Sequence, residues 1–270
     1  MQSRPDRFEP YNGNKIGRGA YLTYRKKQRR EGEEMEPIKG KSEKELKCKF
    51  NIQDKEKVEQ IVRDTLEAYQ IMPTGDEKLK PQIDEYFDTP DYSLAHKEHS
   101  LRVRQMKDGG IEGTYKPNGK QDGTIFDRPE ATIAIQEKSA RALIQGAQEQ
   151  YGIILPEDII PAVLVENQRR KQNYNIKGVA IELAFDDVIN VDAKTGRRKK
   201  ASRDEFEIEF KDEIAPEKAE EIMKRIWLGI LRKCSEQGIW IQKSTHNKYV
   251  SALIDLGIIP EKDKEQVIDE

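Results

Sequence analysis

The chain has 270 residues, enough for one large domain or two small ones with a sizeable core. Its 48 basic and 50 acidic residues leave a net charge of only −2, so bulk charge points to no particular partner and local clustering has to carry the argument. There is no apolar run of membrane-spanning length and no signal-peptide core, and the two distant cysteines, Cys48 and Cys234, fit a reducing compartment; the expectation is a soluble, cytoplasmic protein.

Residues 1–40 are rich in Gly, Arg, Lys and Glu without apolar periodicity and read as a flexible charged extension. Within it, "RKKQRR" (Arg25–Arg30) suits a nucleic acid or another polyanion, although such runs are more often solvated tails. From residue 43, "EKELKCKF" alternates, with Glu43, Glu45, Lys47 and Lys49 on one face and Leu46, Cys48 and Phe50 on the other. "NIQDKEKVEQIVRDTLEAY" reads as a helix with Asp54 as its cap and Val58, Ile61, Val62 and Leu66 as its apolar stripe. Short strands follow at "QIDEYFDT", "SLRVRQM", "IEGTYKP" and "GTIFDRPEATIAI", with "DGG" (Asp108–Gly110) as a hairpin turn between the second and third. A second helix is expected over "EKSARALIQGAQEQYG". Three long strands come next, "AVLVENQRRKQNYNI", "VAIELAFDDVINV" and "RDEFEIEFKDE", the last two joined by the loop "DAKTGRR". Pro216 opens a third helix, and "NKYVSALIDLG" gives a short fourth. Many strands with few helices between them predict an antiparallel sheet or barrel with helices packed outside.

The charged faces of these strands are unusually sorted. In "EFEIEF" the residues Glu205, Glu207 and Glu209 share one face, opposite Phe206, Ile208 and Phe210. Arg102 and Arg104 share a face opposite Leu101 and Val103, Arg169 and Lys171 share another, and Glu182, Ala184 and Asp186 oppose Ile181, Leu183 and Phe185. An ordinary sheet, apolar inside and charged outside, is the common meaning of such alternation. All-acidic and all-basic strands favour a second reading, a barrel turned inside out whose charged faces line a tunnel, because solvated surfaces mix signs. Crowded carboxylates in such a lumen call for a divalent cation with hard oxygen ligands, and the arginines and lysines call for a polyanion with several oxygens.

The chain then resembles a known family. "EKELK" (Glu43, Glu45, Lys47) matches the E-x-E-x-K signature of the CYTH domain, also called the triphosphate tunnel metalloenzyme family. It is followed, in the family's order, by "YFDTPDYSLAHKEHSLRVR", "TYKP", "DRPE", "IELAFDDV", "EFEIEF" and "NKY", so that the resemblance covers about residues 41–250. It implies an α+β, mostly antiparallel fold, an eight-stranded closed β-barrel with helices outside, over residues 41–250, with 251–270 as a C-terminal tail. It implies metal ligands at Glu43 and Glu45, joined by some of Glu182, Glu205, Glu207 and Glu209, with Mg²⁺ or Mn²⁺ as cofactor. Phosphate-binding residues would be Lys47, Arg102, Arg104, Lys116, Arg128, Arg169 and Lys248, and the reaction would fall to Glu43, Glu45, Lys47 and Lys248. One departure from the family's pattern is Asn167, where a basic residue is common; Lys171 is then a possible substitute on that wall.

The implied function is metal-dependent hydrolysis of a triphosphate, with inorganic triphosphate placed first because no nucleobase- or thiazolium-specific device is visible. Thiamine triphosphate, RNA or nucleoside triphosphates, and cyclisation of ATP remain alternatives on the same tunnel, and homodimerisation stays open. A non-catalytic polyphosphate or nucleic-acid binding module is the rival of another class, opposed by the acidic face of "EFEIEF". His96 and His99 have metal-like spacing but lie in a predicted loop with no nearby Cys, and are not read as a zinc site. Trp227 and Trp240 are expected to pack outside the barrel, and Tyr249, beside Lys248, either packs or approaches substrate.

Overall fold

The computed structural model describes residues 41–105, 109–244 and 246–261; the basic run Arg25–Arg30, Asp108 of the expected hairpin turn and residues 262–270 lie outside them. Eight strands make the frame: β1 (Lys41–Asn51), β2 (Lys78–Asp88), β3 (Ser100–Gln105), β4 (Ile111–Lys116), β5 (Ile125–Ile133), β6 (Ile160–Ile176), β7 (Val179–Asp192) and β8 (Arg203–Phe210). All neighbours are antiparallel, in the order β1-β5-β4-β3-β2-β6-β7-β8, and β8 pairs again with β1. The sheet is therefore a closed eight-stranded barrel, which leaves no open edge along its frame. The short strands Met72–Pro73, Lys120–Asp122, Arg198–Lys200 and Ile241–Lys243 add to β6, β5, β7 and β1.

Five helices surround it: α1 (Lys55–Ala68), α2 (Ser93–His96), α3 (Ala140–Tyr151), α4 (Pro216–Glu236) and α5 (Lys248–Asp255). None of the described helices is long and apolar enough to cross a membrane. Asp54 stands at the N-cap of α1, as expected, but its side chain caps no N–H; a 3₁₀ turn over Ile52–Asp54 leads into the helix instead. The one-turn helix α2 was not foreseen. Strand β2 begins at Lys78, ahead of the expected Gln82, because the long β6 pairs with it as far as Lys171.

The alternation seen in the sequence is resolved inside out. Leu46, Cys48 and Phe50 of β1, Ile181, Leu183 and Phe185 of β7, and Phe206, Ile208 and Phe210 of β8 face outward. There they meet Val58, Ile61, Val62 and Leu66 of α1 and Met223, Ile226, Trp227 and Ile230 of α4. Full burial of each such side chain contributes roughly 1.5–3 kcal/mol, so this outer seam dominates the fold's stability. Trp240 is exposed, with the Arg203 guanidinium 4.4 Å from its ring centre.

On the opposite flank α3 covers Leu101, Val103, Tyr115 and Ile133 with Leu143 and Ala147. It sits close because of two glycines: a Cβ on Gly146 would lie 2.5 Å from Ile133 Cγ2, and one on Gly113 would lie 2.8 Å from Leu143 Cδ2. The third apolar cluster joins Val163 and Val165 of β6 to Val250 and Leu253 of α5 and to Leu256 just past its end.

Candidate active site

Because the outward positions are apolar, the inward ones carry the charge. They line a cavity of about 220 Å³ inside the barrel. Glu43, Glu45, Lys47, Arg102, Arg104, Lys116, Arg128, Arg169, Glu182, Glu207, Glu209 and Lys248 all line it. Glu205 lies next to them at the α5 end, where it also borders a smaller cavity of about 80 Å³ with Lys49, Asn190 and Ser251.

Two local devices fix the α5 end. Asn247 caps α5, its side-chain oxygen accepting the Val250 N–H at 3.0 Å, which places Lys248 in the first turn of the helix. Asp88, in "YFDT", is wholly buried and accepts N–H bonds from Thr89 at 2.7 Å and from Leu94 and Ala95 at 2.9 Å. It also accepts the Tyr249 hydroxyl at 2.9 Å. Tyr249 stacks on Tyr86, with ring centres 5.2 Å apart, so it packs and does not reach into the cavity. Asp88 is thus a structural anchor that ties the turn after β2 to α5.

Inside the barrel the two signs pair across the walls. Lys248 Nζ lies 2.7 Å from Asp186 and 2.6 Å from Glu207, and Lys47 Nζ lies 3.0 Å from Glu205 and 3.5 Å from Glu207. Arg169 bridges Asp186 at 2.9 Å and Glu207 at 2.6 Å. Lys116 pairs with Glu43 and, at 2.9 Å, with Glu130; Lys171 pairs with Glu182, and Lys211 with Glu182 and Glu209. Asp84 holds two arginines at once: Arg104 bidentately at 2.6 and 2.8 Å, and Arg102 at 3.2 Å. Glu205 and Glu207 of "EFEIEF" therefore face cations from other strands and from α5, while Glu209 pairs with Lys211 just past the end of its own strand.

These pairings set the protonation states. Burial raises the Glu207 carboxyl, but Arg169, Lys248 and Lys47 outweigh it and hold it well below the usual range. Burial also opposes ionisation of Asp84, yet Arg102 and Arg104 bring it down to about 2. Glu43 is likewise held low against burial, by Lys116 and by a hydrogen bond with Glu130. Glu45 is different. Burial, then the neighbouring Glu207 charge, push it up to about 7.

Not every candidate ligand converges. Among the described residues, the group whose carboxylate oxygens lie within 4.8 Å of one another is Asp186, Glu205 and Glu207. Glu43, Glu45, Glu182 and Glu209 line the same cavity outside that group. Asp84, Glu130 and Lys211 are not among the residues singled out from sequence, and Asp186 enters there only as part of a charged strand face. Glu130 and Lys211 each sit two residues from one that is singled out, and Asp186 sits four from Glu182, so strict period-2 reading reaches all three. Asn167, the departure noted above, donates to Asp186 at 2.7 Å. His99 Nδ1 is 2.9 Å from the Tyr115 hydroxyl, in keeping with a packing role.

No curated protein matches the chain. Among solved structures it is similar to an adenylyl cyclase candidate from Hippeastrum described as having a dominant triphosphatase activity (18% identity, TM-score 0.46, covering 80% of this chain and 96% of that one). It is also similar to the PH1819 protein of Pyrococcus horikoshii (16%, 0.44, 78% and 99%). A third likeness is to the RNA triphosphatase domain of the mimivirus mRNA capping enzyme (14%, 0.41, 70% and 88%). These likenesses are distant, and membership rests on the family model for the CYTH domain, which matches residues 41–239. The chain belongs to the CYTH domain family.

Proposed function

We propose that the bore binds a triphosphate and hydrolyses it with a divalent cation, Mg²⁺ or Mn²⁺, inorganic triphosphate being the preferred substrate. The observation that carries this reading is the state of two arginines. Nε and Nη1 of Arg128 and Nε of Arg102 are buried with no hydrogen-bond partner, while both side chains line the cavity. A buried guanidinium short of acceptors is costly, and a row of phosphoryl oxygens supplies what it lacks. The preference for inorganic triphosphate follows from the lining: among the described residues its one aromatic ring, Tyr86, is already stacked on Tyr249, so none of them offers a free platform for a base or a thiazolium.

The donor set fits the cation. Carboxylate oxygens are hard ligands of the kind Mg²⁺ and Mn²⁺ prefer, and Asp186, Glu205 and Glu207 present theirs close together. Glu43, Glu45, Glu182 and Glu209 would complete the acidic set, and Glu45, whose carboxyl is pushed up to about 7, would have to be deprotonated to serve as a ligand. When bound, the cation polarises the terminal phosphoryl group and offsets charge on its oxygens. The chain's own residues position and neutralise. Arg102 and Arg104, fixed by Asp84, aim their remaining N–H groups at equatorial oxygens, while Lys47, Lys116, Arg128, Arg169 and Lys248 take the rest of the chain.

The test is phosphate release from tripolyphosphate, ATP, thiamine triphosphate and 5′-triphosphorylated RNA, each with Mg²⁺, Mn²⁺ or a chelator. Metal-dependent release, fastest from tripolyphosphate, is expected. Cyclic AMP and pyrophosphate from ATP would move the reading to cyclisation; tight, salt-sensitive binding with no turnover would move it to a binding module.

A further inference from the structure

Strands β2 and β6 run on past the cavity at the mouth opposite α5. On β2, Gln82 and Tyr86 line the cavity, so the period of two places Lys80 and Lys78 on the same inward face as it leaves the bore. The register sets Lys80 opposite Arg169 and Lys78 opposite Lys171, two like-charged pairs side by side on one ladder. Directly opposed like charges weaken a strand pair. Arg169 is occupied by Asp186 and Glu207, and Lys171 by Glu182. Lys78 and Lys80 are exposed, and neither is ion-paired among the described residues. The ammonium of Lys171 beside Lys80 pushes the Lys80 pKa down, outweighing the opposite effect of the Glu182 carboxylate.

We propose that Lys78, Lys80 and Lys171 form an anion subsite at this mouth, which takes the phosphate groups of a linear polyphosphate that extend beyond those held in the bore. The inference rests on the reading of the bore as a triphosphate site and adds chain length to it. A nucleic-acid tail fits the ledge less well. Its inward positions are Lys78, Lys80 and Gln82 on β2 and Arg169, Lys171 and, two further along, Asn173 on β6, none of them a ring on which a base could stack. Phosphate groups need only the ammonium donors that are there.

Binding of tripolyphosphate, of longer linear polyphosphate and of a 5′-triphosphorylated oligonucleotide is measured by calorimetry under chelation, so that nothing turns over. The wild-type protein is compared with Lys78→Gln/Lys80→Gln and with the charge reversal Lys80→Glu. The ratio of long-chain to triphosphate affinity is expected to fall about tenfold in the double variant and further in the reversal, with the log–log salt slope for the long chain shallower by about 1 to 2. An unchanged ratio overturns the subsite. A loss confined to the oligonucleotide overturns it in favour of nucleic acid. Failure of the wild type both to bind tripolyphosphate under chelation and to hydrolyse it with Mg²⁺, with the long-chain affinity still falling in the variants, refutes the bore reading and leaves the ledge standing.

Discussion

Replacing Glu45 by Gln separates what the bore does for stability from what it does for function. In the folded, metal-free protein the Glu45 carboxyl titrates near 7, against 4.5 for an unhindered one, because it is buried beside Glu207. Between those values the folded chain holds a proton that the unfolded chain has lost, so stability falls as pH rises through the window. At 1.36 kcal/mol per pH unit the full effect reaches about 3 kcal/mol by pH 8 and is under about 1 kcal/mol at pH 5. Glutamine keeps the shape and removes the charge. Glu45→Gln is therefore expected to be more stable than wild type by about 2–3 kcal/mol at pH 8, or roughly 5–10 °C in Tm, with most of the gain gone at pH 5. Urea unfolding under chelation at both pH values reads this, and phosphate release with Mg²⁺ should drop by at least about 100-fold in the same variant. A variant less stable than wild type at pH 8, or a difference that ignores pH, refutes the electrostatic account; full turnover refutes the assignment of Glu45 to the metal.

Asp84→Asn tests the opposite sign. Because Arg102 and Arg104 hold that carboxyl down to about 2, its contribution, of order 2 kcal/mol, is present above pH 4 and lost as pH falls toward 2, so the deficit of the variant should shrink over that range in acid unfolding. The freed arginines should also raise KM for triphosphate. Arg128→Met should leave the stability of the ligand-free protein unchanged or higher, since it removes buried unpaired nitrogens, while raising KM about tenfold or more. Tyr249→Phe loses a hydrogen bond to the Asp88 carboxylate and should cost about 1.5–3 kcal/mol in denaturant unfolding.

The strand faces were legible because one pleat decides them. The alternation of Phe206, Ile208 and Phe210 with Glu205 and Glu207 says which side is apolar, and the sorting of signs says that the other side is enclosed. What alternation does not carry is register. Asp84 sits in "QIDEYF" between Gln82 and Tyr86 and looks like part of an ordinary polar face; its role comes from lying opposite Arg104 once β3 pairs with β2. Alternation already puts Asp186 and Asp187 on opposite faces, but only the pairing of β7 with β6 and the approach of α1 name their partners, Arg169 for the first and Lys55 for the second. Asp88 stood within a recognisable motif, but its partner Tyr249 lies 161 residues away, and no local signal connects them.

The bore as it stands is nearly self-neutralised, and this constrains how it is opened. A polyanion that entered alone would draw Lys47, Lys248 and Arg169 toward its oxygens and strip Asp186, Glu205 and Glu207 of their partners. A divalent cation that entered alone would leave the same lysines and arginine without theirs. Either event creates unpaired buried charge, which costs several kcal/mol per ion. Arriving together, the two ligands exchange partners with the walls and leave no charge unmatched, so each strengthens the binding of the other by the same factor. On the proposed function, the carboxylates and cations of this tunnel hold one another in a geometry that would suit neither ligand by itself and would suit the pair, a physical reason for a single cavity to carry both signs.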